Sequence, residues 1–194
     1  MAGQKIDGIE VSNEVKEILK SAVEKLNSED VIPCLATVLV GDDPASTTYV
    51  KNKHNACEKV GIKTKDHKLS ADTTQKELDK IIDSLNNDKE VHGILVQLPL
   101  PKQLNEFTTI SRISPIKDVD GLTPQNVGLL SMGKSILKPC TPSGIMEMFY
   151  YYKINLQGKN VVMINRSDLI GKPLYHLLLQ NNATVITCHS KTEN

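Results

Sequence analysis

The sequence has no tryptophan and only two phenylalanines, and aromatic residues make up 4% of its 194 positions. Aliphatic side chains must therefore build the core. It has no net charge, with 23 Lys and Arg against 23 Asp and Glu, which excludes a nucleic-acid carrier that relies on bulk positive charge. No apolar run reaches the ~18 residues of a membrane span. The start, MAGQKIDGIEVSNEVKEIL, is broken by charge too often to hold the apolar stretch of a secretory signal. Neither nucleic acid nor a membrane is expected as a partner. The four cysteines, Cys34, Cys57, Cys140 and Cys188, form no CxxC pair, and a chain of this length buries about 70% of its unfolded surface without disulfides. They are read as reduced, which makes the cytoplasm the expected location. His54, His67, His92, His176 and His189 show no HExxH or other tight ligand spacing. His54 and Cys57 fall three apart on a predicted helix, but two groups are too few for a metal site, and none is expected.

What is present is an alternation of helical and extended patterns. Val15, Ile18, Leu19, Val23 and Leu26 recur at three- and four-residue steps and predict a helix over Val11 to Leu26. VIPCLATVLVG, from Val31 to Gly41, reads as a strand covered on both faces. A helix from about Ser46 to Val60, closed by Gly61, a strand near Ile62 to Leu69, a helix over Thr74 to Leu85 and a strand VHGILVQL from Val91 to Leu98 follow. This order predicts an α/β fold with an open parallel sheet, in which ligands bind beyond the carboxyl ends of the strands. Pro99 to Pro115 reads as a loop with a short helix, and KDVDGLTPQNVG as a linker between two domains. Beyond it are a helix over Ser143 to Tyr152, a strand over Asn160 to Asn165, a helix from about Pro173 to Leu179 and a strand over Ala183 to Cys188. Two such strands are few for an independent three-layer domain.

Four arrangements could carry chemistry. Tyr49 and Lys53 lie four apart on one face of a predicted helix that starts at the sheet's carboxyl edge; a lysine there can move protons, although a solvated lysine beside an amphipathic tyrosine has the same spacing. Lys51 is off that face. In VQLPLP, Gln97 closes a strand and brings both a donor and an acceptor to the same edge, followed by Leu98 and the stiffening Pro99 and Pro101. Asp118 and Asp120 in KDVDG suit a ligand rich in N–H groups, a backbone nest, or simple Asx-turns, with a metal ion the weaker option because no histidine lies nearby in sequence. In VVMINRSDLIGKP, Arg166, Ser167 and Gly171 stand between a strand and a helix as a phosphate site would, with Ser190 and Lys191 beyond the next strand. Only one glycine occurs there, so the usual dinucleotide fingerprint is missing. YxxxK is also the acid/base pair of short-chain dehydrogenases, but no Gly-rich strand-turn-helix precedes Tyr49, and that reading is set aside.

Taken together, YVKNK, VQLPLP, KDVDG, PCTPSG and RSDLIGKP closely resemble the bifunctional methylenetetrahydrofolate dehydrogenase/methenyltetrahydrofolate cyclohydrolase family, in its order, from about Ser46 to Ser190. The last segment, NNATVITCHSKT, resembles the eukaryotic cytosolic members. The resemblance implies a folate-binding catalytic domain over 1–120, an incomplete Rossmann-like NAD(P)-binding domain over 121–194, and a homodimer acting on tetrahydrofolate derivatives. It implies that Lys53 is the lysine of the cyclohydrolase step, that Tyr49 stacks on the folate, and that Gln97 bonds the lysine and positions the reacting carbon. Leu98, Pro99 and Asp120 would complete the substrate site, with Asp120 holding the amino-pyrimidine edge. Arg166, Ser167, Gly171 and Ser190 would bind NADP. Two departures stand out: Asn165 replaces the family's usual glycine before Arg-Ser, and family members run on beyond Asn194. The implied activity is oxidation of 5,10-methylenetetrahydrofolate and hydrolysis of the methenyl product to 10-formyltetrahydrofolate. A cyclohydrolase alone, or a non-catalytic folate-binding remnant, is the alternative.

Overall fold

The computed structural model describes residues 3–193. The chain divides into two compact units. One spans Glu14–Val119, and the other joins the residues up to Asn13 to the chain from Asp120 onward. Helix α1, Gly8–Ser28, runs from one into the other. It starts three residues before the expected Val11 because Asp7 Oδ1 accepts from the Ile9 and Glu10 amides.

In the unit of 14–119, strands β1 (Cys34–Val40), β2 (Lys63–Leu69) and β3 (Gly93–Val96) form a parallel sheet in the order β2-β1-β3. The predicted α/β class is correct. The central strand β1 is buried over its last five residues and β3 throughout, as continuous apolar runs in a doubly covered sheet should be. Strand β2, KTKDHKL, is an edge strand studded with charge, which discourages pairing with another chain.

Helix α2, Pro44–Val60, begins earlier than Ser46 because Asp43 caps it and Pro44 occupies the first turn, and it ends at Gly61 with φ 81°. Helix α3, Gln75–Asn87, opens on a Thr74/Glu77 capping box and buries Leu78, Ile82 and Leu85 at helical spacing. These three pack in the core with Ala36, Val38, Ile94, Leu95 and Val96. Helix α4, Glu106–Arg112, is tied to α3 by Arg112, whose Nε and Nη2 donate to the two oxygens of Asp83 at 2.7 and 2.6 Å. Strand β3 is shorter than predicted, and Gln97 lies just past its end while its amide still donates to Val38 O at 2.9 Å.

The stretch KDVDGLTPQNVG is no simple linker. Ile94 N donates to Lys117 O at 2.7 Å and Asp118 bridges to Ile94, so this segment extends the edge of the sheet beside β3. Helix α5, Pro124–Ser131, then starts where only a turn was expected, with Thr123 capping and Pro124 in the first turn. The same residue types signal a turn and a helix start, so the DG-to-TP run does not distinguish the two by sequence alone.

In the other unit, α6 (Cys140–Tyr151), β4 (Asn160–Ile164), α7 (Gly171–Gln180) and β5 (Thr184–Cys188) follow α5. Strands β4 and β5 pair in parallel. Met163 and Ala183 pack with Leu130, Met146, Leu156, Leu174, Leu177 and Leu178. The alternate positions Val162, Ile164 and Ile186 are exposed, so helices cover only one face of this two-stranded sheet. Glu10 and Asp7 at the start of α1 are held in this unit: the Tyr151 and Tyr152 hydroxyls donate to the Glu10 carboxylate at 2.9 and 3.0 Å, and Asp7 N donates to Tyr152 Oη at 2.9 Å. No helix among the described residues is long and apolar enough to cross a membrane.

Candidate active site

Helix α2 leaves the carboxyl end of β1 through Gly41, whose φ of 85° permits the turn. Asp43 Oδ2 accepts from Ser46 N at 2.7 Å, and this donor holds the Asp43 carboxyl below its ordinary value. The first turns of α2 are thereby placed at the sheet's ligand-binding edge, with Tyr49 and Lys53 one turn apart. Tyr49 is 62% exposed, its ring free to cover a ligand, whereas Lys53 is half-buried.

Lys53 Nζ donates to Gln97 Oε1 at 3.3 Å. Gln97 Nε2 donates to Leu98 O at 2.7 Å, which settles the amide's orientation: its oxygen faces the lysine. The Leu98–Pro99 peptide is cis, Pro99 is exposed, and the Leu100 amide donates to Glu106 Oε1 at 3.0 Å, fastening the chain as it leaves the sheet. Tyr49, Lys53, Gln97, Leu98 and Pro99 therefore share one edge of one unit. A proton-bearing amine held against a fixed amide oxygen, beside an exposed ring, can bind a flat aromatic substrate and move a proton at its reacting carbon.

The two aspartates separate. Asp118 is only 1% exposed and belongs to the bridge with Ile94, a structural place. Asp120 falls in the other unit, half-buried, and its Oδ1 accepts from the exposed Cys140 thiol at 3.6 Å. No group of three or more His, Cys, Asp or Glu residues suited to a metal is found among the described residues.

The nucleotide candidates lie between β4 and α7. Asn165 Oδ1 accepts from Ser167 N at 2.8 Å, and Ser167 Oγ accepts from the Ile170 and Gly171 amides at 3.1 and 3.4 Å. The start of α7 is thus capped by Ser167 rather than left open, so its amides are less available to a phosphate than the sequence suggested. A Cβ on Gly171 would lie 2.7 Å from the Arg166 and Asn165 backbone, which shows that this glycine serves loop-to-helix packing. Arg166 and Ser167 are exposed, and Arg166 has no ion pair among the described residues. Ser190 is exposed just past β5. The Asn165 side chain turns back onto its own loop.

Sequence reasoning missed one cluster. His54, weighed only with Cys57, instead meets Asp66 on β2 and the buried Thr37 on β1. These partners are 12 and 17 residues away in sequence, and nothing local signals them.

A lysine–glutamine pair at the carboxyl edge of a parallel sheet, followed in the chain by a second α/β unit with an arginine-bearing strand–helix loop, is the arrangement of a two-unit α/β enzyme. Residues 6–120 match the tetrahydrofolate dehydrogenase/cyclohydrolase catalytic domain, and residues 139–194 match the NAD(P)-binding domain of the same enzymes. The bifunctional protein FolD of Nitrosopumilus maritimus is 69% identical over all 194 residues, which cover 68% of its length. The crystal structure of the bifunctional FolD enzyme from Campylobacter jejuni superposes with a TM-score of 0.98 at 45% identity, covering 100% of this chain and 69% of that one. The Trypanosoma brucei FolD, crystallised with NADP and an inhibitor, gives 0.94 at 34% identity, covering 99% of this chain and 66% of that one. The chain belongs to the tetrahydrofolate dehydrogenase/cyclohydrolase family. Its identity to the Nitrosopumilus and Campylobacter proteins exceeds that to the trypanosome protein. It spans about two thirds of the relatives it matches.

Proposed function

We propose that this chain oxidises 5,10-methylenetetrahydrofolate with NADP and hydrolyses the resulting 5,10-methenyltetrahydrofolate to 10-formyltetrahydrofolate. The observation that carries the reading is the 3.3 Å bond from Lys53 to Gln97 at the carboxyl edge of the sheet. Tyr49 stacks on the substrate's aminobenzoyl ring, and Gln97, Leu98 and Pro99 border its reacting carbon. Asp120, an acceptor when ionised, takes the N–H groups of the pterin edge. In hydrolysis a water oxygen bonds to the methenyl carbon and one water proton passes to the Lys53 amine; the ring nitrogen–carbon bond then breaks, that nitrogen takes a proton, and the new hydroxyl gives up its own proton as the formyl C=O forms, so one proton is released overall. Gln97 holds the lysine amine within reach of that carbon throughout.

NADP supplies the hydride acceptor. Arg166 and Ser167 would hold its extra phosphate, Arg166 as an exposed fork suited to a dianion and Ser167 through a hydroxyl proton that its capping role leaves free. Ser190 adds a second hydroxyl from the neighbouring strand end. Gly171 contributes by keeping the Asn165–Arg166 backbone against α7.

The folate half is assigned to 1–120 and the nucleotide half to 121–194, supported by the family segments 6–120 and 139–194. The enzyme is further proposed to act as a homodimer in the cytoplasm, a reducing compartment that suits its four free cysteines. The direct test mixes the chain with methylenetetrahydrofolate and NADP and follows the methenyl absorbance. A rise followed by decay supports both activities. Decay of supplied methenyltetrahydrofolate without any rise would reduce the function to hydrolysis, and neither change would sink the reading.

A further inference from the structure

Val50, His54, Cys57 and Val60 follow one another down one side of α2 at four- and three-residue steps. Val50 and Val60 are buried and Cys57 is half-buried, so this is the side that meets the sheet. The rest of α2 is largely exposed apart from the buried Ser46, so Val50 and Val60 are its only buried aliphatic side chains. In the middle of the seam, where an aliphatic residue would ordinarily pack, stands a histidine.

His54 Nε2 lies 2.7 Å from Asp66 Oδ1 and 3.2 Å from Thr37 Oγ1. The Thr37 hydroxyl donates to the same Asp66 oxygen at 2.7 Å. Thr37 is 1% exposed and pairs with Asp66 in register across β1 and β2, so two corners of the triangle are fixed by the sheet. Ionised Asp66 can only accept, which assigns the proton to Nε2. Apolar contacts are non-directional and permit a helix to roll, whereas hydrogen bonds weaken steeply off-axis. Lys53 is the residue before His54, so any roll of α2 moves its amine. At about 6 Å from the helix axis, a roll of about 15° shifts a side chain by about 1.5 Å. That is enough to open a 3.3 Å bond.

We propose that the His54–Asp66–Thr37 triangle is a positioning device that fixes the roll of α2 and thereby holds Lys53 against Gln97. It rests on the reading of Lys53 and Gln97 given above. None of the three touches the reacting atoms; they act through the lysine. Loss of the triangle should lower turnover rather than affinity.

The test uses the full chain with His54→Leu, Thr37→Val, Thr37→Ser and Lys53→Met. Two signals are read: the kcat and KM of methenyltetrahydrofolate hydrolysis, and the Gln97 side-chain amide resonance in a ¹⁵N–¹H spectrum. His54→Leu and Thr37→Val should each lower kcat about tenfold with KM within about twofold, as displacements near 1 Å do, and shift the Gln97 resonance in the same sense as Lys53→Met. Thr37→Ser, which keeps the hydroxyl, should restore both signals. If His54→Leu does not fold, Thr37→Val carries the comparison. Unchanged kcat and an unmoved Gln97 signal in these variants, with Lys53→Met moving both, would overturn the positioning role and leave the catalytic reading intact. Full hydrolysis by Lys53→Met would instead remove the reading of the site, and the positioning proposal with it.

Discussion

Lys53 Nζ donates to Gln97 Oε1 at 3.3 Å across 44 residues of sequence, while the Gln97 amide nitrogen is committed to Leu98 O at 2.7 Å. The glutamine is therefore clamped at both ends, and its charge matters as much as its shape. Lys53→Met should lower methenyl hydrolysis by about 10² to 10⁴, the usual worth of a positioned proton-transfer group. Gln97→Glu should cost at least about tenfold. It faces the lysine with a carboxylate that retains the proton on the amine, and it turns a second oxygen against the Leu98 carbonyl. Stopped-flow decay of the methenyl absorbance measures both; a Gln97→Glu enzyme at full speed would contradict the clamp.

Gly171 makes a different prediction because its constraint is backbone against backbone. A methyl group at this position meets Arg166 N and Cα and Asn165 C at 2.7 Å, atoms that no rotamer change can move away. Gly171→Ala should destabilise the chain by about 1–3 kcal/mol, seen in thermal unfolding. Calorimetry should also show weaker NADP binding, because relief of the clash displaces the loop that carries Arg166. Gly144, with nothing within 4 Å of its would-be Cβ, is the control for the effect of an added methyl group in a helix.

Arg166 is exposed, and the Ser167 carbonyl and hydroxyl oxygens already accept from the start of α7, which leaves that residue only its hydroxyl proton to offer a ligand. The guanidinium must then supply most of the discrimination for the additional phosphate. Arg166→Gln should raise the KM for NADP at least about tenfold, as expected when a charge-assisted fork is lost, and leave that for NAD nearly unchanged. Steady-state dehydrogenase assays with the two cofactors decide it: an equal effect on both would place Arg166 on the shared part of the dinucleotide or outside the site.

The fold was legible wherever a segment buried one face. Leu78, Ile82 and Leu85, or Ala36 and Val38 with Ile94 to Val96, announce their elements because apolar periodicity is imposed by the core they enter. Helix α5 was not legible, since Thr123 and Pro124 carry the same signal for a turn as for a helix start. The early start of α1 depends on Asp7 and on two tyrosines more than a hundred residues away. At the site, Lys53 and Gln97 could be proposed from strand ends and helix spacing. The His54–Asp66–Thr37 triangle could not, because it exists only once β1 and β2 are in register. The capping role of Ser167 was likewise hidden: the sequence places a serine near a helix start, but only the folded loop shows which amides its oxygen accepts.

Acid should act on the folate half through a few well-placed carboxylates. The Arg112 fork holds the Asp83 carboxyl below its ordinary value of 3.8, and the Lys65 ammonium, 2.6 Å away, does the same for Asp88. The Thr74 amide and hydroxyl lower Glu77 from 4.5. A carboxyl group whose value is lower in the folded state than in the unfolded one contributes stability that is complete above the unfolded value. That contribution is lost as pH falls through the folded value. Thermal unfolding should consequently show no loss from these groups between pH 8 and pH 5, given their ordinary values of 3.8 and 4.5, and a progressive decline below about pH 4. Asp83→Asn should melt lower than the parent at pH 7, because α4 loses its tie to α3, and the two curves should converge at low pH where the parent's Asp83 is itself protonated. A difference that stays constant with pH would mean that the variant disturbs packing rather than the ion pair, and that Arg112 stabilises α4 chiefly through its aliphatic stem.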